Sequence, residues 1–264
     1  VKPAAGDAGA KPRTLAIDIG GTGVKAMVLD AAGKELTERV RLPTPRPATP
    51  RAVLGALRTL LPALGAFDRV SCGFPGVVVD GVTRTAPNLH PTWAGFDLAR
   101  ALERLTKRPS RAINDAGVQG FGVVKGVGVE MLLTLGTGMG CALFIDGIYV
   151  PNLELAHHPL RRGKTYEEYV GAAALEAVGK KKWNRRVARV LAQIEPIWNP
   201  SHIYLGGGNA KHLTLELPAN VTVTSNLAGL LGGIALWGAH ERAAHHGGRP
   251  KAAAAQPASP RARR

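Results

Sequence analysis

"LAIDIGGTGVKAMVLD", Leu15 to Asp30, is the stretch on which the architecture turns. An apolar run meets a carboxylate at Asp18 and breaks at Gly20 and Gly21. Alternation then resumes with Val24, Ala26 and Val28. This spacing predicts a strand, a glycine turn and a returning strand. The pattern comes back at "LTLGTGMGCALFID", Leu133 to Asp146. Two such hairpins predict an α/β protein of two similar lobes facing a shared cleft.

Working outward, Glu35 to Leu42 reads as a third strand, and "PTPRPATP" stops it before a helix over 51–65. Residues 68–85 read as a strand, a Gly-Pro turn and a hairpin about Asp80-Gly81. An amphipathic helix over 97–108 follows, and "SRAINDAGVQGFG" passes from strand to helix at Asn114-Asp115. The second cycle adds a hairpin at Asp146-Gly147 and helices over 164–179 and 180–198. A strand then ends in Gly206, Gly207 and Gly208, before a small-residue helix over 226–243. The expected divisions are a disordered segment 1–13 and a small α/β lobe 14–113, completed by a helix at about 227–243. A large α/β lobe over 114–226 and a basic disordered tail over 244–264 follow.

The composition narrows the classes. The chain has 264 residues, 45% of them apolar, enough for substantial cores. No apolar run is long enough to cross a membrane. The leading segment lacks the apolar stretch of a secretory signal. With two cysteines, Cys72 and Cys141, no disulfide framework is expected, and a cytoplasmic location is the natural reading. The net charge of +15 is partly the tail's, through Arg249, Lys251, Arg261, Arg263 and Arg264. The body keeps about +8, which suits a polyanionic partner or simply favours solubility.

Two phosphate-loop signatures can be tested on spacing. The dinucleotide fingerprint fails because Cys141 stands where "GTGMGC" needs its last glycine, and a strand follows. The Walker loop fails because His158, not glycine, precedes "GKT" at the required distance. What remains is a pair of hairpin turns whose backbone N–H groups, with Thr22 and Thr137, can converge on phosphate oxygens. Ordinary tight hairpins also use glycine, but two matching Gly-Thr loops favour the phosphate reading.

Asp115 sits where a strand feeds a helix, a position for a helix cap or for a general base. Glu154, His157 and Glu167 could meet the hydroxyls of a sugar, with Asn88 in a turn of the same kind. Zinc is not expected, since no further His or Cys ligands lie close by. Lys180, Lys181, Lys182, Arg185, Arg186 and Arg189 share one predicted helix, as a solvated face or as a phosphate track.

In their order, "DIGGTGVK", "GFPG", "NDA", "LGTGMG", "PNLELAH" and "YLGGGNAK" are similar to the motifs of the ROK group of sugar kinases, most closely its polyphosphate glucokinases. The resemblance runs from about Thr14 to Gly238. It implies a hexokinase–actin-like (ribonuclease H-like) fold and transfer of a phosphoryl group to the 6-hydroxyl of glucose, or of mannose. Inorganic polyphosphate, ATP or both would serve as donor with Mg²⁺, in a homodimer without zinc. By the same resemblance Asp115 is the base. Pro75, Gly76, Asn88, Asn114, Glu154, His157 and Glu167 form the sugar site. Asp18, Gly20, Gly21, Thr22 and Lys25 form the first phosphate loop, with Asp18 holding Mg²⁺ through water. Gly136, Thr137 and Gly138 form the second. Gly206, Gly207 and Gly208 lie at the donor's far end, and Lys181 and Arg185 are expected along a polyphosphate track. The family's usual Glu-x-Gly-His reads Glu154-Leu155-Ala156-His157 here.

The rivals are an ATP-dependent kinase for glucose, mannose or an N-acetylhexosamine, and a sugar-sensing transcription regulator. The family's regulators carry a helix-turn-helix before the kinase-like body, and the residues before Thr14 are too few to build one. Specific nucleic-acid binding is therefore not expected, although basic tails bind phosphates non-specifically.

Overall fold

A computed structural model describes residues 11–224 and 231–238. The first sheet contains β1 (Thr14–Ile19), β2 (Gly23–Leu29), β3 (Val40–Pro43), β4 (Arg69–Phe74) and β7 (Ser110–Asn114), in the order β3-β2-β1-β4-β7. A short hairpin, β5 (Val78–Val79) with β6 (Val82–Thr83), projects between β4 and β7. The second sheet contains β8 (Val129–Leu135), β9 (Met139–Ile145), β10 (Ile148–Val150), β13 (His202–Gly206) and β14 (Val221–Val223), in the order β10-β9-β8-β13-β14. The two orders are one topology used twice. In each sheet, three antiparallel strands are followed by two that join parallel to the first. The two-lobed α/β architecture expected from the repeated hairpin is therefore present.

The central strands are apolar on both faces, as parallel strands covered on both sides must be. Leu15, Ile17, Ile19, Val70, Cys72 and Phe74 build the first core around Trp93. Met131, Leu133, Leu135, Trp183 and Ile203 build the second. The helices α1 (Pro50–Leu60) and α2 (Leu98–Thr106) belong to the first lobe. Thr49 caps α1 by accepting from the Ala52 N–H, and Asp97 caps α2 by accepting from the Arg100 N–H. In the second lobe, α4 (Tyr166–Val170) leads into α5 (Ala172–Trp198) behind a hairpin of β11 (Pro159–Arg161) and β12 (Lys164–Thr165). The helix α3 (Asp115–Phe121) packs against strands of both sheets.

Three element boundaries depart from the sequence expectation. The third strand is only Val40–Pro43. Asp30 turns the chain early by accepting from the Ala32 and Lys34 N–H groups, and Thr37 Oγ1 accepts from the Val28 N–H. The segment before Val40 is held by these side chains and by an isolated backbone bridge of Glu35 to Leu29. The helix expected over 51–65 ends at Leu60 and continues as a 3-10 turn, Leu61–Leu64, which contains Pro62. The helix expected over 164–179 is divided at Gly171 into α4 and the first turns of α5, whereas the expected boundary at 179–180 falls where Gly179 (φ 70°, ψ 161°) leaves the helical conformation.

Residues 231–238 are helical and return to the first sheet. Leu231 and Ile234 pack on Ala16, Met27 and Leu29. Ser71 Oγ donates to the Gly233 carbonyl, and Trp237 Nε1 donates to Ser71 Oγ at 2.8 Å. The rest of the helix expected over 226–243, and the basic tail, lie outside the described residues, as does the leading segment up to residue 10.

Candidate active site

A cleft of about 630 Å³ opens between the two sheets. Every residue that the resemblance assigns to sugar, base or phosphate lines it, except Gly206, Lys181 and Arg185. The other cations of the 180–198 run, Lys180, Lys182, Arg186 and Arg189, are also absent from its lining. Lys181 and Arg185 stand on α5 beside a separate groove of about 410 Å³ with Thr214 and Leu215. Two other cations of that helix have structural partners, since Arg186 donates to the Tyr169 carbonyl and Arg189 to the Tyr169 hydroxyl.

The two glycine loops face each other across the cleft. Ile19 pairs with Val24 and Leu135 with Met139, so the first loop is one residue longer than the second. Each is closed by its own backbone, Gly20 N–H to the Gly23 carbonyl at 2.9 Å and Gly136 N–H to the Gly138 carbonyl at 3.0 Å. Thr22 and Thr137 are exposed at the two tips. Neither hydroxyl has a hydrogen-bond partner among the described residues. The first loop is braced from outside by Thr44 Oγ1 on the Gly20 carbonyl and by Arg46 Nη2 on the Gly21 carbonyl at 3.1 Å. The second is braced by Asn209 Nδ2 on the Gly136 carbonyl at 2.9 Å and by the Ala172 N–H on the Thr137 carbonyl. Gly207 turns with φ +86°, and a Cβ there would stand 2.4 Å from the Leu135 carbonyl oxygen.

At the cleft floor the two residues of "ND" divide the work. Asn114, not Asp115, is the cap of α3: its Oδ1 accepts from the Ala116 and Gly117 N–H groups. Its Nδ2 donates to the Gly76 carbonyl at 3.2 Å, which ties the Pro75-Gly76 turn to the helix. Asp115 Oδ1 accepts a 2.8 Å bond from the Ala116 N–H, and the residue's own backbone N–H also faces the carboxylate. Burial pushes its carboxyl up to about 7, with the charges of Asp18 and then Glu154 adding to the shift. A carboxyl poised there can hold or release a proton near neutral pH, which is the property of a general base.

Asp18 lies beside this group and pairs with Lys25, Oδ2 to Nζ at 2.7 Å. On the other side Glu154 Oε2 meets His157 Nε2 at 3.3 Å. Burial raises the Glu154 carboxyl, His157 opposes this, and the Glu167 charge reinforces it. The Glu167 carboxylate lies against Gly138, where a Cβ would come within 1.9 Å of Oε2. Asn88 closes over Gly21, and its amide has no protein partner among the described residues. The arrangement sets carboxylate, amide and imidazole groups around a polar pocket with a phosphate-type loop on either side. Cys141 also faces the cleft, but burial pushes its thiol up to about 12, far from a nucleophile.

Four residues escaped the sequence reading. Asn209 and Arg46 brace the loops, and Arg39 and Arg41 line the cleft. The two arginines alternate with the apolar Val40 and Leu42, a period-2 signal visible in "ERVRLP".

Comparison with known proteins gives the same picture. The profile of the ROK family matches residues 14–151, which span the whole first sheet and the second glycine loop. The polyphosphate glucokinase of Mycobacterium tuberculosis is 33% identical over 234 residues, covering 82% of this chain and 88% of that protein. The N-acetylmannosamine kinase of Escherichia coli is 39% identical over 141 residues, 51% of this chain and 48% of that protein. Among solved structures, the inorganic polyphosphate/ATP-glucomannokinase from Arthrobacter sp. strain KM aligns with a TM-score of 0.77 at 32% identity, over 89% of this chain and 100% of that one. The duplicated sheet, the paired glycine loops and a profile match over more than half of the chain lead to one conclusion: this protein belongs to the ROK family.

Proposed function

We propose that this chain is a sugar kinase that phosphorylates glucose at its 6-hydroxyl from inorganic polyphosphate, with ATP as a second donor. The observation that carries the reading is Asp115, a carboxyl raised to about 7 on the cleft floor between two opposed Gly-Thr loops. The sugar would sit against Asn88, Glu154, His157 and Glu167, above the Pro75-Gly76 turn. Asp115 takes the proton of the 6-hydroxyl as the oxygen bonds to the terminal phosphorus. The bond from that phosphorus to the donor's bridging oxygen breaks, and the leaving phosphate chain keeps the electron pair. Backbone N–H groups of both loops, Thr22, Thr137 and Lys25 face the charge that builds on the transferred group.

Among the described residues no three His, Cys, Asp or Glu side chains cluster as a ready-made cation cage. Among the described residues Asp18 Oδ1 has no hydrogen-bond partner while Oδ2 is paired with Lys25, which fits Mg²⁺ held through water and the donor's own phosphates. Bound there, Mg²⁺ would neutralise phosphate charge.

Support for polyphosphate comes from the mycobacterial and Arthrobacter relatives, whose names carry that donor. An ATP donor is supported by the Arthrobacter relative, whose name also carries ATP, and by the Gly207-Gly208 turn, which borders the cleft beside the second loop. The deciding assay supplies purified protein, glucose and Mg²⁺ with either long-chain polyphosphate or ATP and follows glucose 6-phosphate. Product from polyphosphate is expected. Product from ATP alone would overturn the donor assignment, and none from either would overturn the glucokinase reading.

A further inference from the structure

Arg39 and Arg41 are used by neither the sugar pocket nor the loop braces. Both are exposed and both line the cleft. Val40 and Leu42 pack on the first core, so alternation along β3 sends the Arg41 guanidinium to the opposite face, and Arg39, just before the strand, lines the same cleft. Neither arginine has an ion pair or a hydrogen bond among the described residues. Arg41 reaches over the end of the first loop, where a Cβ on Gly23 would stand 2.8 Å from Nε.

The sheet register orders these charges. Arg41 lies opposite Lys25, Lys25 opposite Asp18, and Asp18 opposite Gly73. A Cβ on Gly73 would in turn stand 3.2 Å from the Asp115 Cα. Neighbouring strands are about 4.8 Å apart, so the row leads from the reacting carboxylate to the β3 edge in three steps. It begins with acids, passes the Asp18–Lys25 pair and ends at Arg41, which has no such partner among the described residues. The Gly207-Gly208 turn belongs to the other lobe, so the two directions out of the site differ.

We propose that Arg39 and Arg41 form a track for the distal phosphates of a polyphosphate donor, which leaves the reacting centre across Lys25 toward the edge of β3. The inference rests on the polyphosphate-kinase reading and gives that donor a path distinct from a nucleoside's. A guanidinium fork matches two phosphate oxygens at once, and a cation with no carboxylate partner has its full charge available. A short donor is held at the loops and Lys25, whereas a long chain carries further charges that need partners. Lys181 and Arg185 also offer cations, but beside their separate groove on α5.

The test measures binding of end-labelled long-chain polyphosphate by fluorescence anisotropy, in glucose and without Mg²⁺ so that turnover does not interfere. Wild type is compared with an Arg39→Gln/Arg41→Gln variant and a Lys181→Gln/Arg185→Gln variant, each checked for an unchanged melting curve. The β3 variant should bind the long chain at least roughly tenfold more weakly, with a shallower salt dependence. Its loss for tripolyphosphate should be several-fold smaller. Undiminished binding by the β3 variant, an equal loss for both chain lengths, or a loss confined to the α5 variant would each overturn the track. Failure of the wild type to bind any long chain would instead sink the polyphosphate reading beneath it.

Discussion

The carboxylate of Glu167 occupies the space that a side chain on Gly138 would need, since an ideal Cβ there would fall 1.9 Å from Oε2. One residue is in the second glycine loop and the other at the start of α4, so the loop and the carboxylate proposed to hold the sugar are in direct contact. Gly138→Ala should push Glu167 aside. The obstructing atoms are the end of a flexible side chain, so the fold should survive with a melting temperature near wild type. A shift of about 1 Å in a positioning group can lower turnover by about 100-fold. Steady-state kinetics on the variant would show a loss of about that size in kcat/KM for glucose. Normal kinetics would mean that Glu167 does not hold the sugar.

Asp115→Asn tests the base directly. The amide keeps an oxygen for the Ala116 N–H and the same volume, so the pocket shape is retained. Turnover should fall by about 100- to 10,000-fold, with glucose affinity by calorimetry within a few-fold of wild type. Turnover close to wild type would assign the proton to another group.

The same substitution has a stability consequence whose sign follows from the shift. Burial, then the Asp18 charge, raises the Asp115 carboxyl from 3.8 to about 7 in the folded state. Between those values the native state holds a proton that the unfolded state has lost, so wild-type stability falls as pH rises through that window. Asparagine carries no charge to desolvate. In magnesium-free buffer Asp115→Asn should therefore melt above wild type at about pH 8, and the gap should narrow at about pH 5. A variant that melts lower at the higher pH would contradict the burial argument.

Glu130 shows the opposite balance. It is 2% exposed at the start of β8 and accepts from the Lys125, Gly126 and Val127 N–H groups and from the Tyr204 hydroxyl. Burial pushes its carboxyl up, but these four bonds outweigh it and leave it below the ordinary value. The resulting stability is present above the usual carboxylate range and is lost as pH falls below it. Glu130→Gln aims an amide NH₂ at groups that are themselves donors. Chemical denaturation should show a loss of about 2 kcal/mol, larger at neutral pH than in acid.

Much of this was legible in the chain itself, for a local reason. Alternation around Gly20-Gly21 and around Gly136-Gly138 specifies a hairpin from a handful of neighbouring residues, and the echo between them predicts the duplicated lobe. The same is true of Asp80-Gly81 and Asp146-Gly147, whose left-handed backbones (φ 51° and 79°, φ 50° and 77°) are those that a tight hairpin demands. The order of the motifs led to the ROK family, and nearly all the residues those motifs named meet at the cleft.

What the chain alone could not decide depends on register and on contacts between distant segments. "NDA" does not say which residue caps the helix; only the approach of Gly76 and the α3 amides assigns that work to Asn114 and leaves Asp115 lining the cleft. A basic run in "KKKWNRRVARV" looks suited to phosphate, yet the helix axis carries Lys181 and Arg185 to another groove. The unremarked pair in "ERVRLP" reaches the cleft because β3 is registered against Lys25. Hairpins are encoded within a few residues, whereas the row from Asp115 to Arg41 exists only once four strands have paired and α3 has packed on β4.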